Sequence, residues 1–121
     1  MWLIAGCDMT NSRYEELNAL WVNTPLFLVV DAYAHNDPKQ GEKNIERLTR
    51  QYAPDTLLGS KAGALFVLQA EEQRCNEMLA NALKSRAEYK EYMQMLSEKE
   101  PDIYDTLHQM DLLGSKLYQM L

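Results

Sequence analysis

Proline and glycine are scarce in this 121-residue chain, at four and five residues, and neither occurs between Ala64 and Glu100. That stretch therefore lacks the two residues that most readily break a helix. Cysteine is limited to Cys7 and Cys75, which excludes a disulfide scaffold in a chain of this size. No run of about eighteen or more apolar residues occurs, so no membrane span is expected. The nearest thing to a basic patch, Lys39, Lys43, Arg47 and Arg50, shares its helix face with Glu42 and Glu46 and reads as salt-bridged surface. With a net charge of -6, direct nucleic-acid binding is not expected, because neutralising a phosphate backbone needs a basic surface. Glycosylation sites of the Asn-x-Ser/Thr type, Gly-rich phosphate loops and nucleophile elbows are absent.

What the chain does contain is helical periodicity. Leu65, Leu68, Cys75, Leu79, Ala82, Tyr89, Met93 and Leu96 recur at three- and four-residue intervals, which places them in one stripe of an α-helix. Only Glu72 and Arg86 interrupt the stripe. A helix over 64–100 would be about 55 Å long, whereas a compact globule of this size spans about 35 Å. The expectation is an all-α fold: a helical bundle of four to five helices organised around one long helix. One domain covers 1–121, with N-terminal helices over 1–54, the long helix over 55–100, and a C-terminal helix over 102–121 folding back on it.

Local signals divide the rest. Ser12-Arg13-Tyr14-Glu15 has the form of a capping box, predicting a helix that buries Tyr14, Leu17, Leu20 and Trp21. Thr24-Pro25 offers a second start, with Thr as N-cap and Pro at the first helical position. Leu26–Val30 also reads as a short apolar strand. Paired with residues 2–7, it would make the alternative fold, α+β with a small N-terminal βαβ element. Asp37-Pro38 opens a helix burying Ile45, Leu48 and Tyr52, with Gly41 weakening its first turn. Ala53-Pro54-Asp55 marks a boundary, with Asp55 as N-cap and Gly59 and Gly63 softening the start of the long helix. From Ala64 to Ala70 the pattern is apolar on nearly all sides, which implies burial among several neighbours. Pro101 ends the long helix and Asp102 caps the last one, whose face is Ile103, Leu107, Met110, Gly114, Leu117 and Leu121.

Catalytic chemistry finds little purchase. Asp31 and Asp105 share helix faces with His35 and His108, yet the Glu-x-x-His pattern of di-iron bundles is absent. Glu71, Glu72 and Glu77, or Glu15 and Glu16, would have to converge from neighbouring helices to hold Mg²⁺, and no second acidic cluster recurs at a matching interval. The two thiols have no placed base. No catalytic, cofactor-binding or metal residue is assigned. Ile4-Ala5-Gly6-Cys7 resembles a lipobox, but six uncharged residues before Cys7 are too few for a signal peptide, so no lipid anchor at Cys7 is expected. The expected location is cytoplasmic.

Pairing two long helices antiparallel would set Glu72 near Arg86 of the other copy, a polar pair that fixes register. The candidate interface is therefore Glu72, Cys75, Leu79, Arg86, Tyr89, Tyr92, Met93 and Leu96, either as a homodimer seam or for capture of a protein partner. The competing expectation is that the first and last helices fill the stripe within one molecule. The expected function is a non-enzymatic interaction or regulatory protein (adaptor, chaperone or inhibitor by surface occlusion). Its expected signature is an exposed patch of Tyr92, Met93, Met95, Tyr104 or Tyr118. The alternatives are a small all-α metal-dependent nucleotide hydrolase and an acidic nucleic-acid mimic presenting Glu98, Glu100, Asp102, Asp105 and Asp111.

Overall fold

A computed structural model of the chain describes residues 2–52 and 61–121, with side chains described from Ser12 onward. Its described residues form seven helices and no strand: α1 Trp2–Val22, α2 Pro25–Ala34, α3 Pro38–Tyr52, α4 Lys61–Leu83, α5 Arg86–Lys99, α6 Pro101–Gln109 and α7 Ser115–Met120. The all-α expectation holds, with more and shorter helices than the four to five anticipated. The βαβ alternative is overturned, because residues 2–7 and 26–30 are both helical. The caps expected at Asp55 and the softening at Gly59 lie outside the described residues.

The N-terminal punctuation places the starts of α2 and α3 where the sequence suggests, and departs from it at Ser12, Thr24 and Gly41. Ser12 does not start a helix; it sits exposed within α1, since no proline or glycine separates it from Cys7. Thr24 precedes α2 in extended geometry with Pro25 at the first helical position. Its hydroxyl does not cap α2 but donates back to the Trp21 carbonyl at 2.5 Å. The α2 helix closes at His35, and Asn36 then adopts φ 58°. The N–H groups of Asn36 and Asp37 return to the carbonyls of Tyr33 and Ala32, the paired bonds of a Schellman stop, with Asn tolerating the left-handed residue. Asp37 caps α3 by accepting from the Gln40 N–H at 3.2 Å. Gly41 is buried rather than a point of weakness. A Cβ there would lie 2.7 Å from Cε2 of Tyr33, so α2 and α3 approach at a distance only glycine permits.

The long helix is the main correction: residues 64–100 form two helices. Lys84 takes φ 66° and its N–H bonds to the Ala80 carbonyl at 3.3 Å, an αL stop on a residue that pays a steric cost for it. Ser85 then restarts the chain with extended geometry, its hydroxyl accepting from the Glu88 N–H at 3.2 Å. Ser85-Arg86-Ala87-Glu88 is thus a cap signature inside the apolar stripe. Arg13 of α1 clamps the corner, donating from its guanidinium to the Ala82 carbonyl and to Glu88 Oε2 at 3.3 Å.

The C-terminal helix breaks as well. At its start Glu100, not Asp102, is the cap residue and Pro101 begins α6. At its end Asp111 has φ 54°, with Asp111 N–H to His108 O and Leu112 N–H to Leu107 O completing a second Schellman stop. Leu113 follows at φ 52°, turning the chain so that α7 packs on α4. The expected heptad over 103–121 therefore divides: Ile103 and Leu107 enter the core from α6 and Leu117 from α7.

One large core gathers residues from six of the helices, among them Leu17, Trp21, Leu26, Leu79, Leu83, Tyr92, Leu96, Ile103 and Leu117. Trp21 is fully enclosed, and its indole N–H donates to the Tyr92 hydroxyl at 2.7 Å. That hydroxyl in turn donates to Asn18 Oδ1 at 3.4 Å. A smaller cluster of Val29, Leu48 and Val67 joins α2, α3 and α4.

Candidate functional site

The candidate interface divides sharply once the chain is folded. Cys75, Leu79, Tyr92 and Leu96 are each no more than 1% exposed, enclosed by the chain's own helices. The stripe is filled from within, so it offers no open seam, and the antiparallel pairing of two rods has no rods to pair. Tyr89 and Met93 are half-buried against the same core. Arg86 is exposed and lies over the Tyr118 ring, 4.7 Å from its centroid. Glu72 is ion-paired with Lys116 of α7 at 3.5 Å, so the partner expected for it across a dimer is supplied within the chain. The anticipated Met and Tyr patch is not exposed either: Tyr92 is buried, Met93, Met95 and Tyr104 pack against the core, and half-buried Tyr118 stacks edge-on with Tyr89 at 5.6 Å.

The unusual chemistry lies on α4. Glu71, Glu72 and Asn76 are 1%, 3% and 2% exposed, and most of their acceptor capacity is unmatched. Among the described residues neither oxygen of Glu71 has a hydrogen-bond partner, nor does Glu72 Oε1 or Asn76 Oδ1. Burial pushes the Glu71 carboxyl above its ordinary range, only partly countered by Arg74. Burial likewise raises the Cys75 thiol, which donates to Thr24 Oγ1 at 3.5 Å. A raised thiol is a poor nucleophile, consistent with packing rather than chemistry at this position.

Glu72 and Asn76 are four residues apart, hence on one side of α4. That side borders α7, and the two helices enclose a cleft of about 390 Å³ lined by Gln69, Glu72, Gln73, Asn76, Lys116 and Met120. Beyond the cleft the same side of α4 continues to Leu65, one turn before Gln69, with Phe66 next to it. Leu65, Phe66 and Met120 are about half exposed, and Phe66 stacks edge-on with Tyr52 of α3 at 6.4 Å. Burial of the 64–70 segment on all sides is therefore corrected: Val67 is fully buried, whereas Leu65 and Phe66 face outward. Tyr52, expected in the core, is exposed with them.

The remaining chemistry-bearing residues stay apart. His35 Nδ1 lies 3.1 Å from Asp31 Oδ1. Its pKa is raised, first by the hydrogen bond to the Asp31 carbonyl and then by the Asp31 carboxylate. His108 stacks on Tyr104 at 4.5 Å. Among the described residues no group of three or more His, Cys, Asp or Glu side chains could hold a metal ion, and no helix is long and apolar enough to cross a membrane. Sequence reasoning singled out Glu72 as an oddity in the stripe. It missed Asn76, Lys116 and Met120, whose convergence depends on α7 swinging back onto α4. No protein-family model, curated protein or solved structure matches the chain.

Proposed function

We propose that this protein is a non-enzymatic helical interaction protein that binds a protein partner across the outer side of α4 and the adjoining α7. The observation that carries this reading is the pairing of Leu65, Phe66 and Met120, all about half exposed, with a polar cleft between them. Large exposed apolar residues grouped beside polar ones mark a recognition surface. The net charge of -6 favours a partner with basic character, through long-range attraction and faster encounter. The hydrolase alternative has no convergent carboxylates behind it among the described residues. The stripe of 72–96, first considered as the docking surface, gives way to this one because its apolar residues are already in use.

A photo-crosslinking residue at position 66, with a second at exposed position 98 as control, tests the reading in the native host. The expected result is a discrete adduct with another protein from position 66 only, lost when Leu65→Asp is added. An adduct of the chain with itself, or the same adducts from both positions, would refute it.

A further inference from the structure

The cleft between α4 and α7 carries more specific information than its shape. Glu72 and Asn76 line it, both almost wholly buried, and each keeps an acceptor oxygen without a partner among the described residues. Buried acceptors of this kind are rare, because each forfeits the hydrogen bonds it made to water. Among the described residues the donor that reaches the Glu72 carboxylate is the Lys116 ammonium, 3.5 Å from Oε2. Charge-assisted N–H···O bonds close to about 2.7–2.9 Å, so this contact is loose. The Lys116 side chain is also 66% exposed, leaving most of its ammonium to water. The carboxylate is thus held by a weak, tethered stand-in.

A group that satisfies these acceptors must bring several donors and a positive charge in a small volume. A primary ammonium offers three donors on one centre. A divalent cation would need several oxygen ligands around it, whereas here a single carboxylate stands beside a competing lysine. Planar guanidinium pairs best with both oxygens of one carboxylate, whereas the unpartnered acceptors here, Glu72 Oε1 and Asn76 Oδ1, belong to two different side chains. Met120, exposed at the mouth of the cleft, supplies an apolar surface for methylene groups. Gln69 and Gln73 add polar side chains along its wall.

We infer that the α4–α7 cleft recognises a primary ammonium group on an aliphatic stem, namely a lysine side chain of the partner. Glu72 and Asn76 are its acceptors, and Lys116 is the internal ammonium that it displaces. This rests on the partner-binding reading and gives it a chemistry: Leu65, Phe66 and Met120 supply contact area, and the cleft selects a lysine among apolar neighbours. Lys116 then sets affinity by competition, since an incoming group must first take its place.

The test uses the full chain and small probes, followed by NMR shifts of the Gln69, Gln73 and Asn76 side-chain amides. Nα-acetyl-lysine methylamide and pentylamine are expected to give saturable shifts at these amides, and the uncharged norleucine analogue none. Lys116→Gln is expected to tighten binding by about tenfold, the scale of one charged hydrogen bond relieved of competition. Glu72→Gln, nearly isosteric, is expected to weaken it by about tenfold or more while helical circular dichroism is retained. A folded Lys116→Gln variant that shows no saturable shift overturns the inference, as does equal binding of the norleucine analogue. Probe binding without any crosslinked protein at position 66 would uphold the ammonium site and remove the protein partner, leaving a free amine as the ligand. Crosslinking without probe binding would do the reverse.

Discussion

Replacing Glu71 by methionine is expected to stabilise the protein, and by more at neutral than at acidic pH. The side chain is 1% exposed and neither carboxyl oxygen has a hydrogen-bond partner among the described residues. An unsatisfied buried polar group costs about 1–3 kcal/mol, and apolar replacement of similar volume removes that cost with little repacking. The pH dependence follows from the direction of the shift. Desolvation raises the folded-state pKa above the ordinary 4.5, opposed by Arg74. The unfolded chain therefore releases this proton first. The proton-linked penalty is absent below the unfolded pKa, grows as pH rises through the folded value, and is complete above it. Urea unfolding followed by circular dichroism at pH about 4 and about 7.5 reads both quantities. Glu71→Met should gain about 1–3 kcal/mol at the higher pH, and at the lower pH only the part due to burying the neutral acid. For a domain of this size the gain at neutral pH corresponds to roughly 4 °C in Tm per kcal/mol. Loss of stability at neutral pH would mean that Glu71 has a partner after all. An equal gain at both pH values would refute the shift.

Other substitutions test the corners of the fold. Lys84→Gly should stabilise by about 1 kcal/mol, by relieving the positive φ at the end of α4; a loss in chemical denaturation would place residue 84 within a continuous helix. Ser85→Ala should cost about 1 kcal/mol by removing the α5 cap, readable in the same assay. Gly41→Ala should fail to deliver the gain of about 1 kcal/mol that helix propensity alone promises, because the added methyl meets the Tyr33 ring. The His35 titration midpoint, followed by NMR, should lie above 6.5. It should fall only part of the way in Asp31→Asn, since the backbone carbonyl is the larger cause; the bias that protonated His35 gives the folded state is present below its unfolded pKa and disappears as pH rises through the folded one.

Much of this fold is legible in the sequence, and the illegible parts have identifiable causes. Thr24-Pro25 and Asp37-Pro38 mark the starts of α2 and α3 because proline fixes φ wherever it stands. The α4–α5 corner carries no such mark. Its stop uses a left-handed lysine, which local chemistry does not favour, and its restart, Ser85-x-x-Glu88, lies within an apolar period that resumes in register at Tyr89 after the single break at Arg86. The clamp from Arg13 is what makes the corner worthwhile, and Arg13 is a contact from the far side of the molecule. The α6–α7 turn is hidden for a similar reason, since Asp111 and Leu113 take the positive φ while the glycine beside them, Gly114, does not. At the candidate site, Glu72 stands out against its stripe by polarity alone. Asn76 does not, because only the folded chain reveals that the side of α4 it occupies is closed over by Lys116 and Met120.

The account depends on the apolar stripe of residues 68–96 being consumed within one molecule, while Leu65 and the outer side of α4 stay free for recognition. An isotope-filtered nuclear Overhauser experiment on an equal mixture of labelled and unlabelled protein tests this directly through the Trp21 indole proton and the Tyr92 ring, whose donor and acceptor atoms lie 2.7 Å apart. The account predicts strong cross-peaks within labelled chains and none between labelled and unlabelled ones. Cross-peaks between chains would show that the stripe is completed by a second copy, and would contradict it.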